Sequence, residues 1–180
     1  DQRQHPLVPA LQFASARYAH IRRNVHDLTC VLAKRERIDG RLRSYEYLYM
    51  KVRKQRELGN GVVQPFSVYA QYLAPKELKG RKVLYVAGWN DGKLRVQKGS
   101  GRFAYMKLNV NPTSELAMRE SRYPITEMGV ENAARRLIEQ AEDDIHLDPN
   151  GLNTTVQFFG NAKVDGRPCT CIRVMHPQQL

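Results

Sequence analysis

The sequence predicts a mainly β protein of the α+β class, with a large curved antiparallel sheet whose concave face is covered by about two helices. Three Asp-Gly pairs, at positions 39, 91 and 165, each lie between segments rich in β-branched and aromatic residues. Such pairs are strong hairpin signals, and hairpins join antiparallel strands. Two other segments repeat apolar residues every three to four positions, which predicts helices. A sheet of about eight strands twists and curls, so these helices are expected to cover its concave face.

The N-terminal helix is predicted over residues 6–26. Its apolar residues recur at three- and four-residue spacing from Leu7 to Val25, as one face of an amphipathic helix requires. Pro6 and Pro9 fit the first turn, where backbone N–H groups have no helical partner.

Residues 28–110 are predicted to form consecutive antiparallel strands. Asp39-Gly40 and Asp91-Gly92 predict hairpins, and Gly59-Asn60-Gly61 predicts a further connection. Asn111-Pro112 ends the last of these strands, because proline cannot donate to a sheet. The predicted strands cover residues 28–38, 42–53, 66–73, 82–89, 93–97 and 103–110.

The remaining chain predicts a second long helix and a terminal hairpin. Residues 114–123 fit either a short helix or an irregular loop. Residues 128–145 carry an apolar stripe of helical period. Residues 154–176 contain two strands about Asp165-Gly166. A length of 180 residues fits one domain, so a single domain over residues 1–180 is predicted.

The composition indicates a globular, strongly basic protein. Hydrophobic residues make up 42% of the chain, and no apolar run approaches the roughly 18 residues of a membrane helix. The net charge is +11, and the basic excess lies before residue 126. This surface favours anionic lipid headgroups, acidic polysaccharide or nucleic acid as neighbours, but it also fits basic side chains that protect sheet edges. The polar start, Asp1 to His5, carries no signal peptide, and both a mature exported protein and a trimmed chain would begin in this way.

The three cysteines, Cys30, Cys169 and Cys171, cannot all pair within one chain. The sequence allows one disulfide, from Cys30 to either Cys169 or Cys171, if the first and last strands are neighbours. The alternative, three unpaired thiols that pack as small apolar side chains, is favoured.

Catalysis and metal binding are not expected from this sequence. The five histidines are scattered, and Cys169 and Cys171 lack the two-residue spacing of zinc-binding cysteine pairs. There is no nucleophile elbow, and no glycine-rich phosphate loop precedes a helix. The sequence therefore predicts a protein that is not an enzyme and that uses no cofactor or metal.

Two faces of the predicted sheet are candidate binding surfaces. Tyr45, Tyr47 and Tyr49, followed by Lys51 and Arg53, have the pattern of a nucleic-acid stacking platform. A half-buried sheet face with a basic rim fits them better, so nucleic acid is not the favoured partner. The inner face predicts either an apolar ligand groove under movable helices or a permanently packed core. The groove residues are Phe66, Val68, Tyr72, Leu84, Val86, Leu94 and Val96.

Several segments resemble a family of exported bacterial proteins of unknown function. They include Pro65-Phe66-Ser67-Val68-Tyr69, Leu73-Ala74-Pro75, Asn90-Asp91-Gly92-Lys93 and Arg122-x-Pro124-Ile125-Thr126. In fold, this family is similar to the periplasmic lipoprotein carriers LolA and LolB. The resemblance implies an unclosed half-barrel, export to the periplasm or cell envelope, and a cavity for acyl chains. Family members tend to continue past the position of His176, so a missing or unpaired strand edge is expected at this end.

The leading expectation is a non-enzymatic, exported carrier that binds a lipid or a lipid-modified protein. Lys and Arg at the rim would meet anionic headgroups or an anionic membrane surface. Two alternatives stay open at this point. One is an envelope scaffold or interaction domain without a ligand pocket, and the other is a basic nucleic-acid binder whose affinity falls steeply with salt.

Overall fold

The computed structural model describes residues 4–101 and 104–175, and it confirms the predicted fold class. Of the described residues, 39% lie in strands and 26% in helices. Contacts group the chain into two compact units. We call Asn24–Val130 the sheet unit, and the described residues before Asn24 and from Glu131 onward the terminal unit. The prediction of a single domain over residues 1–180 stays a prediction.

The described residues form three α-helices and twelve strands. The helices are α1 (Val8–Asn24), α2 (Glu115–Met118) and α3 (Val130–Leu147), so both long predicted helices are present with ends shifted by about two residues. The strands are β1 (Asp27–Lys34), β2 (Arg37–Ile38), β3 (Arg41–Leu42), β4 (Glu46–Arg53), β5 (Arg56–Gly59), β6 (Val62–Gln64), β7 (Ser67–Ala74), β8 (Lys82–Val86), β9 (Leu94–Gln97), β10 (Lys107–Val110), β11 (Thr155–Val164) and β12 (Arg167–Met175).

Six strands of the sheet unit form one antiparallel sheet in the order β1-β4-β7-β8-β9-β10. Strands β1 and β10 are its two edges, so the sheet is open rather than closed into a barrel. The strand predicted over 103–110 is shorter than expected, and its first residue, Phe103, lies outside the described residues. The long helices α1 and α3 belong mainly to the terminal unit, and their predicted place over the sheet stays a prediction.

The first predicted hairpin is present but interrupted. Strands β1 and β4 pair along their full length, while β2 and β3 form a separate two-stranded tip around Asp39-Gly40. Both turn residues have positive φ, 49° and 74°, which is the backbone of a two-residue hairpin turn. The long strands predicted over 28–38 and 42–53 are therefore each broken in two. The break leaves the tip as a separate two-stranded ribbon.

The other turn signals give two tight hairpins and one longer loop. Asn60-Gly61 joins the paired strands β5 and β6, and Asp165-Gly166 joins β11 and β12. Strands β8 and β9 also pair, but the loop 87–93 between them holds a single 3₁₀ turn at Asn90–Gly92. The predicted two-residue turn at Asp91-Gly92 is thus corrected to a longer connection, because Asn90 and Asp91 both adopt positive φ before Gly92.

The core of the sheet unit lies on one face of the central strands. Strand β4 alternates between buried and more exposed side chains, as a sheet with one covered face requires. Ile125 and Met128, from the segment after α2, pack against this face. The buried cluster consists of Leu48, Met50, Val52, Val68, Ala70, Tyr72 and Leu78.

The terminal unit contains α1, α3 and the β11–β12 hairpin. A turn follows α3, where the carboxylate of Asp148 accepts hydrogen bonds from the backbone N–H groups of Leu152 and Asn153 and from the hydroxyl of Thr154. Burial would raise the pKa of Asp148, but these bonds and the nearby His5 outweigh it and lower that pKa. The expected C-terminal strands over 154–176 are present, except that His176 lies outside the described residues.

The cysteines and the helices bear on two sequence expectations. Cys30, Cys169 and Cys171 are free thiols, so the structure contains neither of the disulfides that the sequence allowed. Strand β1 pairs with β4 and β12 pairs with β11. Among the described residues, no helix has both the length and the hydropathy needed to cross a membrane.

Candidate functional site: an apolar cavity with a charged end

The core face of the sheet unit carries a cavity of about 260 Å³, which we call the sheet cavity. Its floor consists of alternate side chains on β4, β7, β8, β9 and β10, and its walls come from residues 112–128. Leu108 and Leu116 line it while they are 52% and 59% exposed, so the cavity opens to solvent. Most lining side chains are aliphatic or aromatic. Such a concave, mainly apolar opening has the character of a small-molecule site.

The structure brings four of the seven predicted groove residues to this cavity. These are Val68 and Tyr72 from β7 and Leu94 and Val96 from β9, two strands that are separated by β8. Phe66 lies just before β7 and packs against the buried core, with its ring centroid 6.3 Å from that of Tyr85. Whether any of these side chains binds a ligand stays a prediction.

Leu84 and Val86 do not lie on the cavity face, which corrects their predicted placement. Pairing of β7 with β8 sets Val83 opposite Ala70 and Leu84 opposite Tyr69. Directly opposed residues share a face, so Val83 lines the cavity and Leu84 lines a cleft on the outer face. Val86 lies two residues after Leu84 in the same strand, so its side chain is on the same outer face.

The residues that sequence reasoning missed come mainly from the segment between β10 and α3. Leu116, Tyr123, Ile125 and Met128 line the sheet cavity from this segment. The sequence left residues 114–123 as either helix or loop, since a four-residue helix is too short to show a period. The available signal was composition, because several apolar residues occur here in a stretch that showed neither strand nor long helix.

Lys34 anchors one end of the cavity in a cluster of charges. Its ammonium group donates to Glu36 Oε2 at 2.9 Å, to the Glu120 backbone oxygen at 2.8 Å and to Ser121 Oγ at 2.9 Å. These three bonds use all three N–H donors of a lysine. The Lys34 side chain is only 10% exposed, so it holds the first sheet edge against the cavity wall rather than serving as a free surface charge.

Glu46 is the least satisfied member of this cluster. Its Oε2 lies 3.3 Å from Lys34 Nζ but has no hydrogen-bond partner, since the lysine donors are used elsewhere. Burial raises the pKa of Glu46 above its ordinary value, and the negative charges of Glu120 and Glu36 add to this, while Lys34 opposes it. The cluster therefore holds a carboxyl group that takes up a proton more readily than an exposed one.

Tyr72 and two cations complete the polar end. Burial is the main reason that the pKa of Tyr72 is raised to about 12, so its hydroxyl stays protonated at neutral pH. The Arg81 guanidinium lies 5.5 Å from the centre of the Tyr72 ring. Arg81 and Lys98 both line the cavity, and Glu120 is the carboxylate on the same lining. The cavity thus offers an apolar floor and an end with hydrogen-bond donors and charges of both signs.

The tyrosine face predicted as an alternative site lies on the opposite side of the sheet. Tyr47 and Tyr49 alternate with buried residues of β4. Lys51 lies 5.9 Å from the Tyr49 ring and Arg35 lies 5.1 Å from the Tyr45 ring. These cations cover ring faces that a stacked base would need.

Metal-binding geometry does not arise from the described residues. Within them, no group of three or more His, Cys, Asp or Glu side chains converges to hold an ion. The cavity joins an apolar floor to an end that carries charges of both signs.

Comparisons with known proteins place the chain in a family without assigning it an activity. None of the curated proteins matches it. A crystal structure of a DUF1329 family protein from Desulfovibrio piger is similar at 12% identity and a TM-score of 0.43, covering 96% of this chain. This chain spans 62% of the length of that protein. The model of the DUF1571 family, described as proteins of unknown function, matches residues 25–180. This chain therefore belongs to the DUF1571 family.

Proposed function

We propose that this protein is a non-enzymatic, exported carrier that binds a lipid or the acyl chain of a lipid-modified protein in the sheet cavity. The observation that carries the proposal is an apolar cavity, open to solvent, with Arg81 and Lys98 at one end. An acyl chain would contribute about 0.8 kcal/mol for each buried methylene. The two cations would meet an anionic headgroup.

The cavity volume limits the size of the ligand. Sites for drug-sized molecules span roughly 300–1,000 Å³. At about 260 Å³ the sheet cavity falls just below this range, so it would take one acyl chain rather than a whole multi-chain lipid. The resemblance to the carriers LolA and LolB, which is expected from the sequence segments alone, motivates both this ligand class and an envelope location.

Native mass spectrometry of protein purified without detergent tests the proposal. A co-purifying lipid at near-stoichiometric amount supports it, and organic extraction then identifies the ligand class. A clean mass that stays unchanged after incubation with free fatty acids and mixed phospholipids would contradict it.

A pair of variants ties the binding to the cavity. Ala117→Phe fills the cavity from α2, whereas Ala33→Phe adds the same ring at an exposed position of β1. We expect the first to weaken binding of a fluorescent fatty acid by about tenfold or more, and the second to leave it unchanged. Equal affinities in the two variants would place the probe elsewhere.

A second candidate is an envelope scaffold or interaction domain. The observation in its favour is the β11–β12 hairpin, where Phe158 and Phe159 are 48% and 46% exposed. Among the described residues, these two strands pair only with each other. A pull-down from envelope extract that recovers a partner with the wild type, but not with a Phe158→Ser/Phe159→Ser variant, would favour it.

A further inference from the structure

The tip of the first hairpin concentrates positive charge at one place on the sheet unit. We call residues 35–43, which contain β2, β3 and the Asp39-Gly40 turn, the arginine hairpin. Its arginines are Arg35, Arg37, Arg41 and Arg43.

These arginines keep their charge uncompensated. Arg37 donates to the Gly40 backbone oxygen at 2.9 Å, and Arg35 donates to that of Arg43 at 3.1 Å. Backbone oxygens orient the guanidinium groups without neutralising them. Glu36 Oε2 lies 2.9 Å from Lys34 Nζ, so this carboxylate pairs with the lysine rather than with an arginine of the hairpin. Within the part of the chain that the structure describes, none of the four arginines forms an ion pair, and Asp39 is the exposed acid of the hairpin.

Apolar side chains alternate with the arginines at the same tip. Leu42 is 48% exposed and pairs across the ribbon with Arg37, while Ile38 pairs with Arg41. Opposed residues share a face, so each face presents one aliphatic side chain beside one arginine. Tyr45, at the base, is 55% exposed. Leu and Tyr surrounded by arginines are suited to the boundary between lipid headgroups and acyl chains.

The hairpin lies against the wall of the sheet cavity. Arg43 donates to the Arg119 backbone oxygen at 3.5 Å, and the Arg122 backbone N–H donates to Glu36 Oε2 at 3.3 Å. Arg119 and Arg122 are themselves exposed and extend the basic surface. Tyr123, next in the chain, lines the cavity and is 38% exposed. The basic surface and the cavity wall are thus one continuous part of the sheet unit.

We propose that the arginine hairpin docks this protein onto the surface of an anionic lipid bilayer, with Leu42 entering the headgroup region and the arginines contacting lipid phosphates. Nucleic acid fits the surface less well, because it offers nothing to an exposed leucine and because Arg35 already covers the Tyr45 ring. Docking does not require a ligand in the cavity, so it is tested independently of the proposed function.

The test is flotation with vesicles of phosphatidylcholine that contain about 30% phosphatidylglycerol, compared with vesicles of phosphatidylcholine alone. We expect binding to the anionic vesicles that weakens as NaCl rises from about 50 to 300 mM. Arg37→Gln/Arg41→Gln should lower the partition coefficient on the order of 25-fold, about fivefold per arginine. Leu42→Ser should lower it about tenfold.

The β5–β6 hairpin and the loop 87–93 supply matched controls in the same unit. Arg56 is exposed there, and Leu58 is 54% exposed. Arg56→Gln/Lys93→Gln removes the same charge from exposed positions, and Leu58→Ser removes the same apolar side chain. We expect both to bind vesicles within about twofold of the wild type.

Three results would overturn the proposal. One is no flotation with anionic vesicles. Another is an equal loss in the control variants, which would show that net charge alone acts. The third is duplex DNA that competes fully with vesicles at the same ionic strength. Binding of the fluorescent fatty acid without vesicles should be equal in all these variants. Failure of the docking proposal would therefore appear only in flotation, and failure of the carrier proposal only in fatty-acid binding.

Discussion

Glu46 shows how one residue links the stability of the sheet unit to pH. Its side chain is 7% exposed and lies at the polar end of the core, beside a lysine that is already fully bonded. Its pKa in the folded protein is raised above the value of 4.5 for a free side chain. The folded state therefore binds this proton more tightly than the unfolded state does.

Replacing Glu46 by Gln should reduce the pH dependence of the free energy of unfolding. Because the folded pKa is raised, the contribution of this group to the free energy of unfolding is fully present below the unfolded pKa of 4.5 and is lost as pH rises through the folded pKa. A tenfold difference in proton affinity between the folded and unfolded states corresponds to about 1.4 kcal/mol. Urea unfolding at pH values from about 4 to 8 should show a smaller decline in Glu46→Gln than in the wild type.

The exposed Glu115 provides the control for this measurement. Glu115→Gln should show the same decline in the free energy of unfolding with rising pH as the wild type. The same decline in Glu46→Gln as in the wild type would contradict the raised pKa.

Gly151 is a residue whose surroundings leave no room for a side chain. It has a φ of +63°, and a Cβ there would collide with Cδ of Pro6, which lies in the same unit. Gly151→Ala should therefore lower the free energy of unfolding by more than the roughly 1–3 kcal/mol of left-handed strain alone. Gly166→Ala, in the same unit, is the matched change, since Gly166 also has a positive φ, +76°, and a Cβ there meets nothing within 4 Å. Similar denaturation midpoints for the two variants would show that the Pro6 contact gives way at little cost.

At the scale of elements, turns and cavity wall are determined in different ways. Asp39-Gly40, Asn60-Gly61 and Asp165-Gly166 encode their hairpins locally, because each pair adopts the positive φ values that such turns require. The segment from α2 to Met128 carries no such local sequence signal. It is held where it is by Lys34 and by contacts of Ile125 and Met128 with the core. The cavity wall therefore depends on long-range contacts.

Lys34→Met should release this wall and leave Glu36 and Glu46 without their cation. Breaking one side of a buried pair costs about 3–5 kcal/mol, and we expect a loss of that order in the free energy of unfolding. Lys51→Met, on the exposed face of β4, should cost less than about 1 kcal/mol, because it removes only a contact with the Tyr49 ring. Adding Glu46→Gln to Lys34→Met should recover part of the loss. No recovery would mean that the bonds to Glu120 and Ser121, rather than the charge pairing, dominate.

At the scale of the whole molecule, the division into two units gives the ligand proposal a local signature. The sheet cavity lies within Asn24–Val130. A bound acyl chain at about 100 times its dissociation constant would stabilise the folded state by about 2.7 kcal/mol. This stabilisation should appear first in the elements that line the cavity.

Hydrogen exchange with and without a saturating fatty acid should locate that effect. We expect slower exchange in β9, β10 and residues 112–128, which line the cavity. The β11–β12 hairpin, in the terminal unit, serves as an internal reference. Protection confined to β11 and β12 would move the ligand out of the sheet cavity and contradict the proposed site.

The position of each predicted groove residue follows from the pattern and the register of its strand. Strand β7 has buried side chains at Val68, Ala70 and Tyr72, and every second residue there is visibly apolar, so the sequence indicated its inner face. Strand β8 reads Lys-Val-Leu-Tyr-Val, with apolar residues at consecutive positions, so alternation could not tell which face Leu84 belongs to. Only the register with β7 decided it.

The sequence by itself determined the class of the fold, the tight turns at Asp39-Gly40, Asn60-Gly61 and Asp165-Gly166, the two long helices and the basic character of the surface. These features depend on local backbone preferences and on composition, so residues that are close in sequence are enough to determine them. The tertiary structure alone decided which face of β8 lines the cavity, where residues 112–128 lie, and that Lys34 is buried between carboxylates. These depend on strand register and on contacts such as Lys34 with Glu120, 86 positions apart, which no local pattern records.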